Sequence, residues 1–213
     1  MPFVTAVCRV HQLIPDSGTV GVTAIDKRPV TDPLRVRPLG LHGDVQANRK
    51  HHGGEDQAVY AYADEDAAYF STVLGRPVEP GLFGENLRTS GIEVSTAVVG
   101  ERWRVGDGLV LEVTLPRVPC ATFARRMKVD KWVRTFTDAN RTGAYLRVVR
   151  SGAVQVGDRI ERFDRPAHGI TVADVFAGLG RDQAVVLLEG GRGLPYKIEA
   201  VARKVLSGVP ASL

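Results

Sequence analysis

Apolar positions along the chain change their spacing once, near residue 165. Before that point they come as short runs and alternations of strand length; after it they recur at helical spacing. Residues 3–13 and 19–25 read as strands joined through a turn that carries Pro15 and Gly18. Residues 34–54 lose periodicity, are rich in Gly and His, and read as mostly loop. Residues 57–62 (Gln-Ala-Val-Tyr-Ala-Tyr) have the content of a short strand. Asp64 is expected to cap a helix running to about residue 74, closed by Gly75 and Pro77. Further strands are expected at 94–99, 102–105 and 109–115, with Gly106, Asp107 and Gly108 turning between the last two. Short helices follow at 121–127 and 131–136, then a hairpin of 145–150 with 153–156 around Ser151 and Gly152.

From Gly169 onward Val172, Val175 and Phe176, then Val185, Val186 and Leu188, then Ile198, Val201, Ala202, Val205 and Leu206 mark three helices. Thr171, Asp182 and Pro195 open them and Gly178, Gly190 and Gly208 close them. The expected fold is a β-rich α+β domain, a barrel or strongly curved sheet with flanking helices, followed by a small three-helix module. The boundaries are 1–165 and 168–213, with the joint at Arg165, Pro166, Ala167 and His168.

Composition narrows the class. The chain has 213 residues, 44% of them hydrophobic, enough for one substantial core. No apolar run reaches the length of a membrane span, and the first ten residues lack the pattern of a signal peptide. The two cysteines, Cys8 and Cys120, fit a reducing cytoplasm, so a soluble cytoplasmic protein is expected. Residues 117–150 carry nine Lys or Arg against two Asp, more excess charge than the net +4 of the whole chain. Such a zone attracts phosphates, on a cofactor or on nucleic acid, although taken alone it reads better as a solvated basic face. No RNA-binding aromatic motif or zinc-finger spacing accompanies it, which disfavours nucleic acid.

Four loop motifs combine permissive glycines with polar side chains: Gly40-Leu41-His42-Gly43-Asp44, His51-His52-Gly53-Gly54-Glu55-Asp56, Phe83-Gly84-Glu85-Asn86-Leu87 and Pro116-Arg117-Val118-Pro119-Cys120. One alone is a turn; four in one small domain point to a built site. Cys120 follows a proline-stiffened loop, opens a helix and has Arg117, Arg125 and Arg126 near it in sequence. These are conditions that favour a thiolate, the ligand a soft or high-valent metal takes. Cys8, inside an apolar strand, reads as structural. A Cys120–His52 nucleophile pair and acid–base work by Glu85 and Asp56 are chemically open, with orientation of a loop the commoner duty for such carboxylates. His42, His51 and His52 alone make a poor zinc signal.

These motifs, in this order, together with Lys27, Gly106-Asp107, Gly143-Ala144-Tyr145 and Gly157-Asp158, resemble the MOSC domain, and within it the bacterial YiiM-like branch. The resemblance covers residues 3–163, and the tail resembles that branch's three-helix extension. It implies a β-barrel that holds the molybdenum cofactor, with the metal bound by the pterin dithiolene and by a cysteine thiolate that maps onto Cys120. It further implies reduction of small N-hydroxylated compounds (hydroxylaminopurines, amidoximes, hydroxamic acids) for detoxification, with electrons from a separate flavin- or haem-containing partner. On this reading Cys120, Glu85 and His52 are the catalytic candidates, and Lys27, His52, Asp56, Glu85, Asn86, Arg117 and Cys120 hold the cofactor. Gln57 stands where the family carries Lys or Arg, which leaves phosphate contact to Lys27, Arg117 or another arginine. A second reading is a molybdopterin-binding or sulfur-carrier protein without turnover of its own. All the motifs precede residue 168, so the tail is expected to be separable from cofactor binding.

Overall fold

The computed structural model describes residues 1–47 and 53–209. The chain runs β1 (Phe3–Val10), β2 (Ile14–Pro15), β3 (Val22–Thr23), β4 (Lys27–Pro29), β5 (Leu34–Arg37), β6 (Gly40–Leu41), β7 (Val59–Ala63), α1 (Asp64–Leu74), β8 (Leu87–Ser90), β9 (Arg102–Val105), β10 (Leu109–Pro116), α2 (Ala121–Met127) and α3 (Trp132–Ala139). It continues through β11 (Ala144–Arg150), β12 (Gly152–Val154), β13 (Ile160–Phe163), α4 (Val172–Ala177), α5 (Arg181–Gly190) and α6 (Tyr196–Leu206).

One eight-stranded sheet, ordered β13-β9-β10-β11-β7-β8-β1-β4, carries the architecture. All its neighbours are antiparallel except β7 and β8. Parallel strands need a crossover connection, and α1 supplies it. The sheet curves until Phe3 of β1 bridges Arg159 just ahead of β13. The Val4 N–H donates to the Asp158 carbonyl at 2.9 Å and the Ile160 N–H to the Pro2 carbonyl at 2.9 Å. Central β10 is buried along all eight residues, as a strand covered on both faces must be.

Several expectations are corrected. Residues 94–99 form no strand: Val94–Thr96 is a 3-10 turn, and Val98 makes one bridge, to Thr171. The run is apolar because Val94, Val98 and Val99 are buried on every side, which periodicity does not separate from a strand. Within the supposed loop at 34–54, Leu34 and Val36 point inward and Arg35 and Arg37 outward, making β5. β11 and β12 do not pair as a hairpin. β11 lies between β10 and β7, and β12 crosses to β5; at the crossing, Gly152 passes so close to the Leu109 backbone that a Cβ would collide with it. β8 emerges from what read as a loop motif. The strand expected at 19–25 shrinks to β3, and β1 stops at Val10. Ala63 rather than Asp64 caps α1, without a side-chain bond, while Gly75 closes it at φ 61°.

Two apolar clusters fill the molecule. One joins the sheet to the tail, including Val99, Trp103 and Val113 with Val172, Val175, Leu187 and Ile198. The second is aromatic and lies beneath α1–α3: Phe83 has Tyr62, Phe123 and Trp132 around it at 5.1, 5.2 and 5.6 Å between ring centres. In the tail Thr171 and Asp174 form a reciprocal capping box at the start of α4. The Val99 N–H donates to the Ile170 carbonyl at 3.0 Å and the Val172 N–H to the Ala97 carbonyl at 3.0 Å. Because the tail shares this core, ending the chain after residue 167 should lower the thermal midpoint by on the order of 10 °C. An unchanged circular-dichroism melt would show that the two parts are independent.

Candidate functional site

Three loops and a hairpin meet over one end of the sheet, around a cavity of about 330 Å3. The 116–120 loop delivers Arg117 and Cys120 to its wall, and the loop ahead of β8 delivers Phe83, Gly84 and Asn86. Segment 44–47 brings Asp44 and Gln46, β4 brings Lys27, and the β2–β3 hairpin closes one side. Gln57, Tyr60 and Tyr145 complete the lining that matters here. Gly40 turns the chain into the cavity wall at φ 114°, and a Cβ there would collide with the Ala58 carbonyl oxygen.

Cys120 is half-buried, is not in a disulfide and occupies the N-cap of α2, with the Ala124 N–H donating to its carbonyl at 3.0 Å. Cys8 contrasts with it. Burial pushes that thiol up to about 12, with a further push from Glu85, so it behaves as an apolar core group.

Arg117 is the electrostatic centre. It is 6% exposed, its guanidinium lies 3.8 Å from the Phe123 ring centre, and its buried Nε has no hydrogen-bond partner among the described residues. Among the described residues no carboxylate pairs with it; one Nη donates a long 3.4 Å bond to the Val118 carbonyl. The other cavity cations are neutralised. Lys27 Nζ is 2.7 Å from Asp44, and Arg125 holds Asp16 at 2.7 Å. The basic zone read from the sequence is in fact largely paired: Arg125, Arg126, Arg134, Arg141 and Arg147 each meet an aspartate.

The remaining candidates divide. Asn86 reaches the cavity wall, but its amide is committed: Oδ1 accepts from the Tyr60 N–H at 3.1 Å, and Nδ2 donates to the Cys8 carbonyl at 3.2 Å and to Asp44 at 2.8 Å. Asp44 thereby joins Lys27, Asn86 and the Val10 N–H, which donates to it at 2.9 Å. Its place in the Gly40–Asp44 motif was the signal for this hub, although no role was assigned to it. Glu85 does not line the cavity. It is fully buried, pairs with Arg88, and accepts from the Gly81 and Phe83 N–H groups at 2.8 and 3.1 Å. This corrects its expected acid–base duty, since neither oxygen faces the cavity and both are occupied. Asp56 also lies outside the lining, 2.7 Å from Arg147. His51 and His52 fall outside the described residues. The tyrosine walls, Tyr60 and Tyr145, were missed: in sequence they are ordinary strand aromatics, and only the β7–β11 pairing sets them side by side, with ring centres 5.1 Å apart.

Glu85 holds the loop that carries Phe83 and Gly84. Glu85→Gln removes the nearer of the two carboxylates around buried Arg88, leaving only Asp64 at 3.7 Å, and should cost about 1–3 kcal/mol. A urea titration would read the loss, and an unchanged midpoint would show that the pair holds nothing.

Among the described residues no group of three or more His, Cys, Asp or Glu side chains gathers as a cation site, and none of the helices is long and apolar enough to cross a membrane. The family model for the MOSC domain matches residues 48–161, more than half of the chain. The chain belongs to the MOSC family. The protein YiiM of Escherichia coli K12 is 30% identical to this MOSC chain over 158 residues, which is 73% of this chain and 70% of YiiM. A protein named reductase from Gibberella moniliformis is 31% identical over 158 residues, 72% of this chain but 28% of that longer protein. The crystal structure of YiiM from Geobacillus stearothermophilus aligns with a TM-score of 0.77 at 23% identity, covering 97% of this chain and 100% of that one, a likeness of fold. This is a YiiM-like MOSC protein whose tail helices fit that branch.

Proposed function

We propose that this MOSC protein binds the molybdenum cofactor in the cavity and reduces small N-hydroxylated compounds with electrons from a separate flavin- or haem-containing partner. The observation that carries the reading is Arg117, a buried guanidinium that pairs with no carboxylate among the described residues and that lines the same cavity as Cys120. A buried cation left unpaired is costly unless a ligand compensates it, and a phosphate does so. The residues present fit the group. Cys120 offers a thiolate, Arg117 a positive charge, Tyr60, Phe83 and Tyr145 flat apolar surface, Gln57 an uncharged amide, and Lys27 a hydrogen-bond donor already paired with Asp44. Among the described residues no cluster of metal-ligating side chains forms, which agrees with a metal that would arrive with its other ligands attached. The near-closure of the sheet through Phe3 and Arg159 supports reading it as the family's barrel.

When bound, the cofactor supplies a two-electron change suited to breaking an N–O bond. The chain's own residues do the rest. Cys120 Sγ holds the metal, and Arg117 anchors the anionic end. Asn86 and Asp44 fix Lys27, and Glu85 acts at one remove by setting the Phe83–Gly84 turn. The fungal relative's name, reductase, agrees with an oxidoreductase. Protein made in a host that synthesises the cofactor should carry about one molybdenum per chain and reduce a hydroxylaminopurine with a chemical electron donor. Zinc in place of molybdenum would overturn the binding reading. Molybdenum without turnover would favour the carrier reading instead.

A further inference from the structure

Between β1 and β4 the chain leaves the main sheet and returns. The base of this excursion is fixed: Val10 pairs with Lys27, and the His11 N–H donates to the Asp26 carbonyl at 2.8 Å. Beyond the base, β2 and β3 pair only with each other, Ile14 opposite Thr23 and Pro15 opposite Val22. The turn bonds to itself, with the Asp16 N–H donating to the Gly21 carbonyl and the Gly21 N–H to the Gly18 carbonyl, both at 3.0 Å. Asp16, Gly18, Thr19, Val20 and Val22 of this hairpin line the cavity.

Among the described residues, one side chain makes every hydrogen bond and ion pair that joins residues 12–24 to a distant part of the chain. The Asp16 carboxylate accepts from Arg125 Nε at 2.8 Å, Arg125 Nη2 at 2.7 Å and Thr122 Oγ1 at 3.0 Å. Both partners stand on α2, on the turns that follow Cys120. Apolar anchoring is slight away from the base: Leu13, Val20 and Val22 are 49%, 45% and 40% exposed, Ile14 is half-buried, and only Ala24, next to the base, is buried. The Arg125 bond holds the Asp16 carboxyl at about 2, so the contact stays charged at every pH above that value and is lost only as pH falls through it.

We infer that residues 12–24 are a hinged flap over the cavity, latched to α2 by Asp16, Arg125 and Thr122, and that it opens to admit large ligands. A short hairpin on a fixed base, with a single charged contact at its tip, is a segment whose local opening is cheap. A latch made of a partly exposed ion pair yields to salt. The inference concerns access to the cavity. It does not rest on the oxidoreductase reading, and its test uses neither cofactor nor turnover, so the two fail separately.

The probe is Cys120 in cofactor-free, full-length protein carrying Cys8→Ala. Its alkylation by iodoacetamide is compared with its alkylation by a polyethylene-glycol maleimide. The ratio of the two rates cancels the thiol's intrinsic reactivity and reports the opening above it. Asp16→Asn and Arg125→Gln should each raise the bulky-to-small ratio about tenfold. Salt at about 0.5 M should raise the unmodified latch's ratio towards theirs while leaving both variants unchanged. Melting curves check that both variants fold, and two independent substitutions guard against one local distortion. Equal ratios in all three folded proteins, or a ratio indifferent to salt in the parent, would overturn the flap.

Discussion

Cys120→Ser is expected to abolish reduction of an N-hydroxylated substrate, by roughly three orders of magnitude or more, with molybdenum largely lost. The serine hydroxyl stays protonated where a thiol ionises, and it is a harder ligand. The side chain sits on a rigid approach, after Pro119 and at the N-cap of α2, so no neighbouring group swings in to replace it. Some pterin should remain, because Arg117 and the apolar walls of the cavity are unchanged by the substitution. Cys8→Ala is the matching control. Its thiol is buried and kept protonated, and removing it should cost at most about 1–2 kcal/mol with activity per bound molybdenum unchanged. Molybdenum content and hydroxylaminopurine reduction, assayed side by side in the two variants, decide the matter. Full turnover in Cys120→Ser, or selective loss in Cys8→Ala, would put the metal elsewhere.

What the sequence showed and what it hid follow one physical division. Local rules reached the elements whose cause is local. Gly75 ends α1, Thr171 starts α4, and the 121–127 helix was read to the residue. Long-range pairing escaped. The swing of β12 towards β5, the bridge from Phe3 to Arg159 and the alignment of Tyr60 with Tyr145 depend on partners tens of residues away. The same division runs through the site. Motif chemistry found Lys27, Asn86, Arg117 and Cys120, and all four line the cavity. It did not separate the two duties open to Glu85, because a carboxylate after a glycine in a polar loop reads alike whether it faces a ligand or, as here, binds Arg88 and two backbone N–H groups. The pairing of the basic run was hidden in part, since Asp16, Asp26, Asp56 and Asp66 come from distant segments while Asp138 lies within it.

Arg117→Met is expected to improve the empty fold and ruin the loaded one. In the free protein the guanidinium is held on the Phe123 face with its Nε unbonded and no carboxylate beside it among the described residues. Exchanging a buried, uncompensated charge for an apolar side chain of similar length is neutral or stabilising. The thermal midpoint of cofactor-free Arg117→Met should therefore equal or exceed that of the parent. Occupancy moves the other way. Truncating one partner of a buried charge pair with a phosphate costs roughly 2–5 kcal/mol, from about 30-fold upward in affinity. Molybdenum content should fall accordingly, in a protein that melts no earlier. Arg117→Lys keeps the charge but not the planar fork that lies on Phe123, and should fall between the two. Lower stability with unchanged molybdenum content in Arg117→Met would mean that the arginine is a structural strut, and the cavity would lose its anchor for an anionic ligand.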